Sequence, residues 1–155
     1  MKHDKVTYFA LFLMIAVFIT MLLLSRAHAQ GFDPTDRIAF EGGGSNLVRV
    51  AMSYVGKNPT GMSRNWCDAF MRVALARSGH GPGTYTARAY AHYGRPSAAR
   101  VGAIAVMNHH VGIVTAVHAG SVTLVSGNHS GRPGHRTVGL GEYRMSRIIA
   151  FRVPN

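Results

Sequence analysis

A long apolar run at the N-terminus limits how much of this chain can form a folded domain. Val6 to Leu24 contains almost no polar residue, follows a basic start, and is followed by Ala27 and Ala29. A basic start, an apolar segment and a small-x-small pair are typical of a secretory signal peptide cleaved after the second small residue. The run also approaches the length that crosses a bilayer, so an uncleaved signal anchor is the alternative. Both interpretations predict export and leave residues 30–155 for folding, which is enough for one domain.

Two composition changes divide the chain further. Pro34 and the three glycines at 42–44 interrupt any regular pattern and are typical of a linker. We therefore expect a signal peptide or signal anchor over 1–29, a flexible linker over 30–44 and a single folded domain over 45–155.

The charge balance is strongly basic. The chain has 17 Lys and Arg residues against 6 Asp and Glu, which gives a formal net charge of +11. Such a charge suits anionic wall polymers, acidic peptides or an anionic membrane surface. It also fits nucleic acid, but no nucleic-acid motif is recognisable and export argues against that partner, so none is expected. So few carboxylates argue against a carboxylate-built metal cluster or a paired-carboxylate glycosidase.

Cysteine and histidine usage excludes further classes of site. Cys67 is the single cysteine, so an intrachain disulfide framework and a multi-thiolate metal site are both excluded. His109, His118, His129 and His135 do not show the i, i+4 ligand spacing with a carboxylate partner, and we predict no metal and no cofactor. A lone cysteine in an exported domain is either a buried inert thiol or a retained reactive one.

The first half of the folded domain shows helical periodicity. Apolar residues recur at helical spacing in three segments, each closed by glycine. We predict a helix over 46–54 capped by Ser45, a helix from Asn65 or Trp66 to Gly79, and a short helix from Thr86 to Tyr93.

The second half is rich in Val and Ile in short runs separated by turn residues. Such runs predict adjacent antiparallel strands. The predicted strands are Val101–Met107, His110–Val117, Val122–Ser126 and Arg147–Val153, with a loop over Gly127–Gly134. The fold class is therefore α+β, with N-terminal helices packed on a small antiparallel β-sheet.

Cys67 falls in the first turn of the second predicted helix. Free N–H groups and the helix dipole at that position favour a thiolate and can hold an oxyanion. His110 opens a predicted strand and Asn128 follows the next one, so a hairpin would bring both to one end of the sheet. We expect Cys67 as nucleophile, His110 as base and Asn128 as the group that orients the imidazole. The competing interpretation of Cys67 is a small hydrophobic residue of the core.

An ordered set of motifs resembles a family at this point. The chain is similar to a bacterial and phage group within the CHAP and NlpC-type cysteine hydrolases of the cell wall, over roughly Leu47 to Pro154. The matching segments are Trp66-Cys67-x-Ala69-Phe70, Ser78-Gly79, Thr86-Ala87-Arg88-x-Tyr90, Tyr93-Gly94, His110-Val111-Gly112-Ile113-Val114, Gly127-Asn128-His129-Ser130 and Tyr143 to Arg152.

The resemblance implies a papain-like fold and cleavage of amide or peptide bonds in peptidoglycan, which would be the main partner. Cys67, His110 and Asn128 match the nucleophile, base and orienting positions of the family. Two departures concern the segment before Trp66, which is short, and the strand before His110, which lacks the common Gly-Asp entry. Both leave the bond specificity open between an amidase and an endopeptidase.

The implied mechanism is hydrolysis of an amide bond through a thioester intermediate on Cys67. His110 removes the Cys67 proton or holds an imidazolium–thiolate pair, and the thiolate attacks an amide carbonyl. Backbone N–H groups at the helix start hold the oxyanion, with Asn65 as a side-chain donor. Trp66 is expected to serve the core and the substrate site together, and His109 to support the base. The alternatives are a non-catalytic wall-binding module on the same fold and a membrane-anchored papain-like acyltransferase.

Overall fold

The computed structural model describes residues 43–132 and 134–155. The predicted signal segment and nearly all of the predicted linker therefore lie outside the described residues. The helices are α1 (Gly43–Met52) and α2 (Cys67–Arg77), with short 3-10 helices at Arg88–His92 and Met145–Arg147. The strands are β1 (Arg95–Pro96), β2 (Ile104–Val106), β3 (Val111–His118), β4 (Ser121–Ser130), β5 (Thr137–Arg144) and β6 (Ala150–Val153).

All six strands form one antiparallel sheet in the order β1-β6-β2-β3-β4-β5. β2 to β5 follow one another as neighbours, and β6 returns to pair with β2 on the other side. The described chain is thus a mixed α+β fold with two α-helices and a curled antiparallel sheet. This confirms the predicted fold class at that level.

One apolar cluster joins the helices to the sheet. Trp66 and Phe70, both with no exposed surface, pack with Leu47 of α1 and with Ile113 and Val125 of the sheet. A second cluster contains Val114, Val122 and Leu124 and receives Phe151 and Tyr143. Burial of several large side chains in the first cluster holds α2 against the sheet, since each contributes about 1.5–3 kcal/mol when removed from water.

A close approach between α2 and β4 depends on Gly127. A Cβ atom at that position would lie 2.5 Å from the Cβ of Phe70 and 2.7 Å from the Trp66 ring. Glycine is therefore required where the helix crosses the strand. The contact places the first turn of α2, with Cys67, at the end of the sheet where β3 begins.

The predicted helices are present with shifted bounds. α1 begins at Gly43, so Ser45 is inside the helix and is not its cap. α2 follows Trp66 and is closed near Gly79, which has φ +83° as the predicted terminal glycine requires. The third segment forms only the 3-10 helix at Arg88–His92.

The strand predictions were wrong in several places. β1 was not predicted, the strand predicted from Val101 begins at Ile104, and the strand predicted from Arg147 begins at Ala150, because Arg147 belongs to the second 3-10 helix. Residues 127–130 continue β4 and are not a loop, because this end of the strand pairs with β5 beyond an irregularity. β5 itself was not predicted. Its sequence contains two glycines and two charged residues, and only Val138 and Gly139 are buried, so it lacks the apolar run that indicates a strand.

Among the described residues, no helix has the length and apolar character needed to cross a membrane. The apolar run at residues 6–24 lies outside that part of the chain.

Candidate active site

Cys67 is the first residue of α2, and no side chain caps the helix at Trp66. The free N–H groups of the first turn are therefore available at the sulfur, as the sequence predicted. The thiol is 6% exposed, so it lies at the inner surface of the site and not in open solvent.

The backbone N–H of Val111 lies near enough to the Cys67 sulfur to lower the pKa of the thiol, against the larger effect of burial. Val111 is the first residue of β3 and directly follows His110. This contact ties the start of α2 to the start of β3 and brings the predicted nucleophile and the predicted base to the same end of the sheet.

The imidazole of His110 is held by a hydroxyl group. Its Nε2 lies 2.9 Å from Oγ of Ser126, a residue of β4 with no exposed surface. With the ring proton on Nε2, His110 donates to Ser126 and keeps the lone pair of Nδ1 free to accept a proton. Ser126 is thus the orienting group of this imidazole.

Tyr143 lies beside both Ser126 and His110. Its phenol oxygen lies 3.2 Å from Nδ1 of His129, and Ser126 lowers the pKa of the phenol against the larger effect of burial, which raises it. The Tyr143 ring stacks on His110 with ring centres 5.6 Å apart. Tyr143 therefore covers one face of the His110 imidazole with its ring.

Asn128 does not have the contact predicted for it. It lines the same cleft, but its Oδ1 is buried and accepts no hydrogen bond from the described residues. Its φ of +56° marks the irregular part of β4, which turns the side chain away from the regular ladder. Ser126 takes the contact to His110 that the sequence assigned to Asn128.

Ser126 and Tyr143 were missed by the sequence reasoning. Ser126 lies inside an apolar strand, and Tyr143 lies in the strand that was not predicted. Gly112, two residues after His110, is a partial signal that points to Ser126 only when the register of β3 against β4 is known. A Cβ on Gly112 would lie 3.0 Å from that of Ser126, so the glycine makes room for the serine.

Five of the six predicted site residues line one cleft of about 430 Å³. Cys67, His110, Asn128, Asn65 and His109 line it. Asn65 and His109 are exposed on its wall, which leaves both able to contact a bound molecule. Trp66 is fully buried in the core and does not line the cleft, so the part of its expected role that concerned substrate is not supported by its position.

Asp68 lies beside Cys67 in sequence, and its carboxylate is paired with an arginine. Its Oδ2 accepts a hydrogen bond of 2.9 Å from Arg72, one turn further along α2. The same guanidinium lies 4.8 Å from the ring centre of Tyr85, an 82% exposed side chain at the cleft.

Burial determines the protonation states of Cys67 and His110. Burial raises the pKa of the Cys67 thiol, and the Asp68 charge adds to this, while the N–H groups of Val111 and of the first turn of α2 act in the opposite direction. Burial also lowers the pKa of His110 to about 4, with further contributions from His129 and Arg147. The resting pair at neutral pH is therefore a thiol beside a neutral imidazole. The N–H groups at the helix start lower the pKa of the thiol as expected, but desolvation outweighs them and the net shift is upward.

Within residues 43–132 and 134–155, no group of three or more His, Cys, Asp and Glu side chains is placed to hold a metal ion.

Comparisons with known proteins give no assignment. No protein-family model matches this chain, and no curated protein matches its sequence.

Proposed function

We propose that this chain is an exported cysteine hydrolase that cleaves amide or peptide bonds of bacterial peptidoglycan, with a papain-like site. The observation that carries the proposal is the junction of α2 and β3. Cys67 at the start of α2 and His110 just before β3 line the same cleft, and Nε2 of His110 lies 2.9 Å from Oγ of Ser126. A thiol at a helix N-terminus beside an oriented imidazole is the arrangement that nucleophilic cysteine catalysis requires.

The reaction begins from the neutral pair. Nδ1 of His110 accepts the thiol proton as the sulfur attacks the carbonyl carbon of the scissile amide. The negative charge on the carbonyl oxygen is held by N–H groups of the first turn of α2, with Asn65 on the adjacent cleft wall as a further donor. The imidazolium returns its proton to the leaving amine, and water attacks the thioester to release the acid and restore Cys67.

Peptidoglycan as the substrate rests on the family resemblance, the predicted export segment and the charge of the chain. The net charge of +11 favours association with a polyanionic wall. Asparagine, threonine, arginine and histidine side chains on the cleft wall suit a polar peptide or glycopeptide. The same polar lining offers no apolar groove for an acyl chain, so it gives the acyltransferase alternative no support.

One observation favours a second candidate, the non-catalytic wall-binding module. Cys67 is almost fully buried and its pKa is raised, as for an inert core thiol. The contacts to Val111 and the orientation of His110 by Ser126 are unnecessary for such a thiol, and for this reason we favour the hydrolase.

Digestion of purified sacculi tests the proposal. The full chain and its Cys67→Ala variant are incubated with sacculi, and the released fragments are identified by mass spectrometry. We expect fragments only with the intact cysteine, and their new ends identify the bond as an amidase or endopeptidase target. No release by either protein, with wall binding retained in both, would support the binding module instead.

A further inference from the structure

The cleft beside Cys67 contains a positive charge that the proposed chemistry does not use. Arg88 lines the cleft with Cys67 and His110, and it is exposed. Its NH1 donates a hydrogen bond of 3.1 Å to Oδ1 of Asn108, which lies two residues before His110. The guanidinium is therefore held on the cleft wall by the segment that carries the base.

The backbone around Arg88 is also held in place. Arg88 begins the 3-10 helix that contains the fully buried Tyr90, whose hydroxyl donates to the backbone carbonyl of Asp68 at 3.4 Å. The hydroxyl of Thr86, just before this helix, accepts a hydrogen bond of 3.3 Å from the backbone N–H of Ala89. The element that presents Arg88 is thus attached to the first turn of α2.

Charge pairing distinguishes Arg88 from the other arginine nearby. Asp68 is the one carboxylate among the described residues that line the cleft, and Arg72 pairs with it. Within the described part of the chain, Arg88 has no carboxylate partner. A guanidinium has five N–H donors, and Asn108 occupies one of the five, so a planar anion can still be bound through two others.

An arginine on a protein surface is usually solvated and binds nothing in particular. Arg88 differs because it is fixed by Asn108, lies in the same cleft as the nucleophile, and supplies an uncompensated charge there. An anionic group on the substrate would neutralise that charge, whereas a neutral amide would leave it partly desolvated.

We propose that Arg88 binds a substrate carboxylate, so that the cleft selects peptides or amides carrying a free carboxylate next to the bond attacked by Cys67. This inference rests on the proposed function and deepens it, because it names the chemical class of substrate. In peptidoglycan the corresponding groups are the free carboxylates of the stem peptide.

The test compares stem peptides with free carboxylates against the same peptides with those carboxylates converted to amides. Cleavage by the full chain is followed as kcat/KM for each peptide. We expect a preference of about ten- to a hundredfold for the free carboxylate, which is the range of a charge-assisted hydrogen bond. Arg88→Gln should remove the preference. Arg88→Lys should retain part of it, because lysine keeps the positive charge but cannot bind a carboxylate through two parallel N–H groups.

Arg100→Gln is the matched control. Arg100 is an exposed arginine in a separate cleft with Arg95, so its replacement removes one positive charge without altering the site. The preference for the free carboxylate should be unchanged in this variant. An equal loss in Arg88→Gln and Arg100→Gln would mean that net charge alone is responsible, and would overturn the inference.

Binding measurements separate this inference from the proposed function. The Cys67→Ala variant is titrated with both peptides by calorimetry, with and without Arg88→Gln, after circular dichroism has shown that both variants are folded. Tighter binding of the free carboxylate that Arg88→Gln removes supports the inference even if no cleavage is ever observed. Equal binding of the two peptides, or binding of neither, overturns it.

Discussion

Nε2 of His110 lies 2.9 Å from the hydroxyl of Ser126 on the neighbouring strand. Because Ser126 occupies Nε2, Nδ1 is the ring nitrogen left to accept the thiol proton in the tautomer that carries its proton on Nε2. Ser126 is fully buried and the Tyr143 ring stacks on the imidazole, so the imidazole has little freedom to rotate. The orienting contact thus lies two residues earlier in β4 than the Asn128 position that the sequence suggested.

Ser126→Ala should lower kcat with little effect on KM. The substitution removes the group that orients His110 but leaves the cleft wall unchanged, and we expect a loss of about 10- to 100-fold, within the range of general-base contributions. Steady-state kinetics of peptidoglycan fragment release measures both constants. Ser121→Ala, a buried serine at the other end of β4 bonded to Glu142, is the matched control and should keep full activity. A full kcat in Ser126→Ala would show that Ser126 has no orienting role.

Thiol alkylation should be slow at mildly acidic pH. The raised pKa of Cys67 and the low pKa of His110, about 4, mean that a neutral pair predominates over the physiological range. The alkylation rate with iodoacetamide should therefore rise steadily with pH towards and beyond the ordinary thiol pKa of 9.0. A fast, pH-independent rate between pH 5 and 7 would instead demonstrate a preformed imidazolium–thiolate pair.

Stability should fall on acidification because of His110. Its pKa is about 4 in the folded chain against 6.5 for the free side chain, so the unfolded state binds the proton more readily between these values. The contribution is fully present above pH 6.5 and is lost as the pH falls towards 4, by an amount on the order of 3 kcal/mol.

Urea unfolding at pH 7 and pH 4 measures the contribution of His110 to the free energy of unfolding when the full chain is compared with His110→Gln. Other titrating groups are common to both proteins, so the difference in pH dependence isolates His110. The variant should lose less free energy of unfolding between the two pH values. Equal losses would mean that the His110 pKa is not depressed in the folded state.

Gly127→Ala should reduce both stability and activity. The added methyl group would overlap Phe70 and Trp66 and would move α2, with Cys67, away from the sheet. Overpacking of this kind typically costs about 1–3 kcal/mol. Thermal unfolding measures the change, and Gly81→Ala, where nothing lies within 4 Å of the added Cβ, is the control and should be unchanged. A wild-type melting temperature in Gly127→Ala would contradict the close packing of α2 on β4.

The helical half of the domain could be predicted from the sequence because its signals are local. Apolar spacing after Trp66 and a terminal Gly79 define α2, and they place Cys67 at its start. His110 could likewise be placed at the start of a strand, since a segment rich in Val and Ile follows it.

The remaining features depend on contacts between strands, which the sequence does not display. Residues 127–130 have the composition of a loop but continue β4, and Ser130 pairs with Thr137 of β5. Glycine is typical of turns, but Gly127 lies in a strand, where its missing side chain leaves space for Trp66 and Phe70. Ser126 could be identified only once the register opposite Gly112 was known, and the thiol pKa only once its burial was known.

A double-mutant comparison tests the central claim most directly. Fragment release from sacculi is measured for the full chain, Cys67→Ala, His110→Gln and the double variant, with folding verified for each. Because groups that act as one unit are strongly non-additive, either single change should abolish release as completely as both together. Sustained release by Cys67→Ala, or independent and additive losses from the two changes, would contradict a shared Cys67–His110 site.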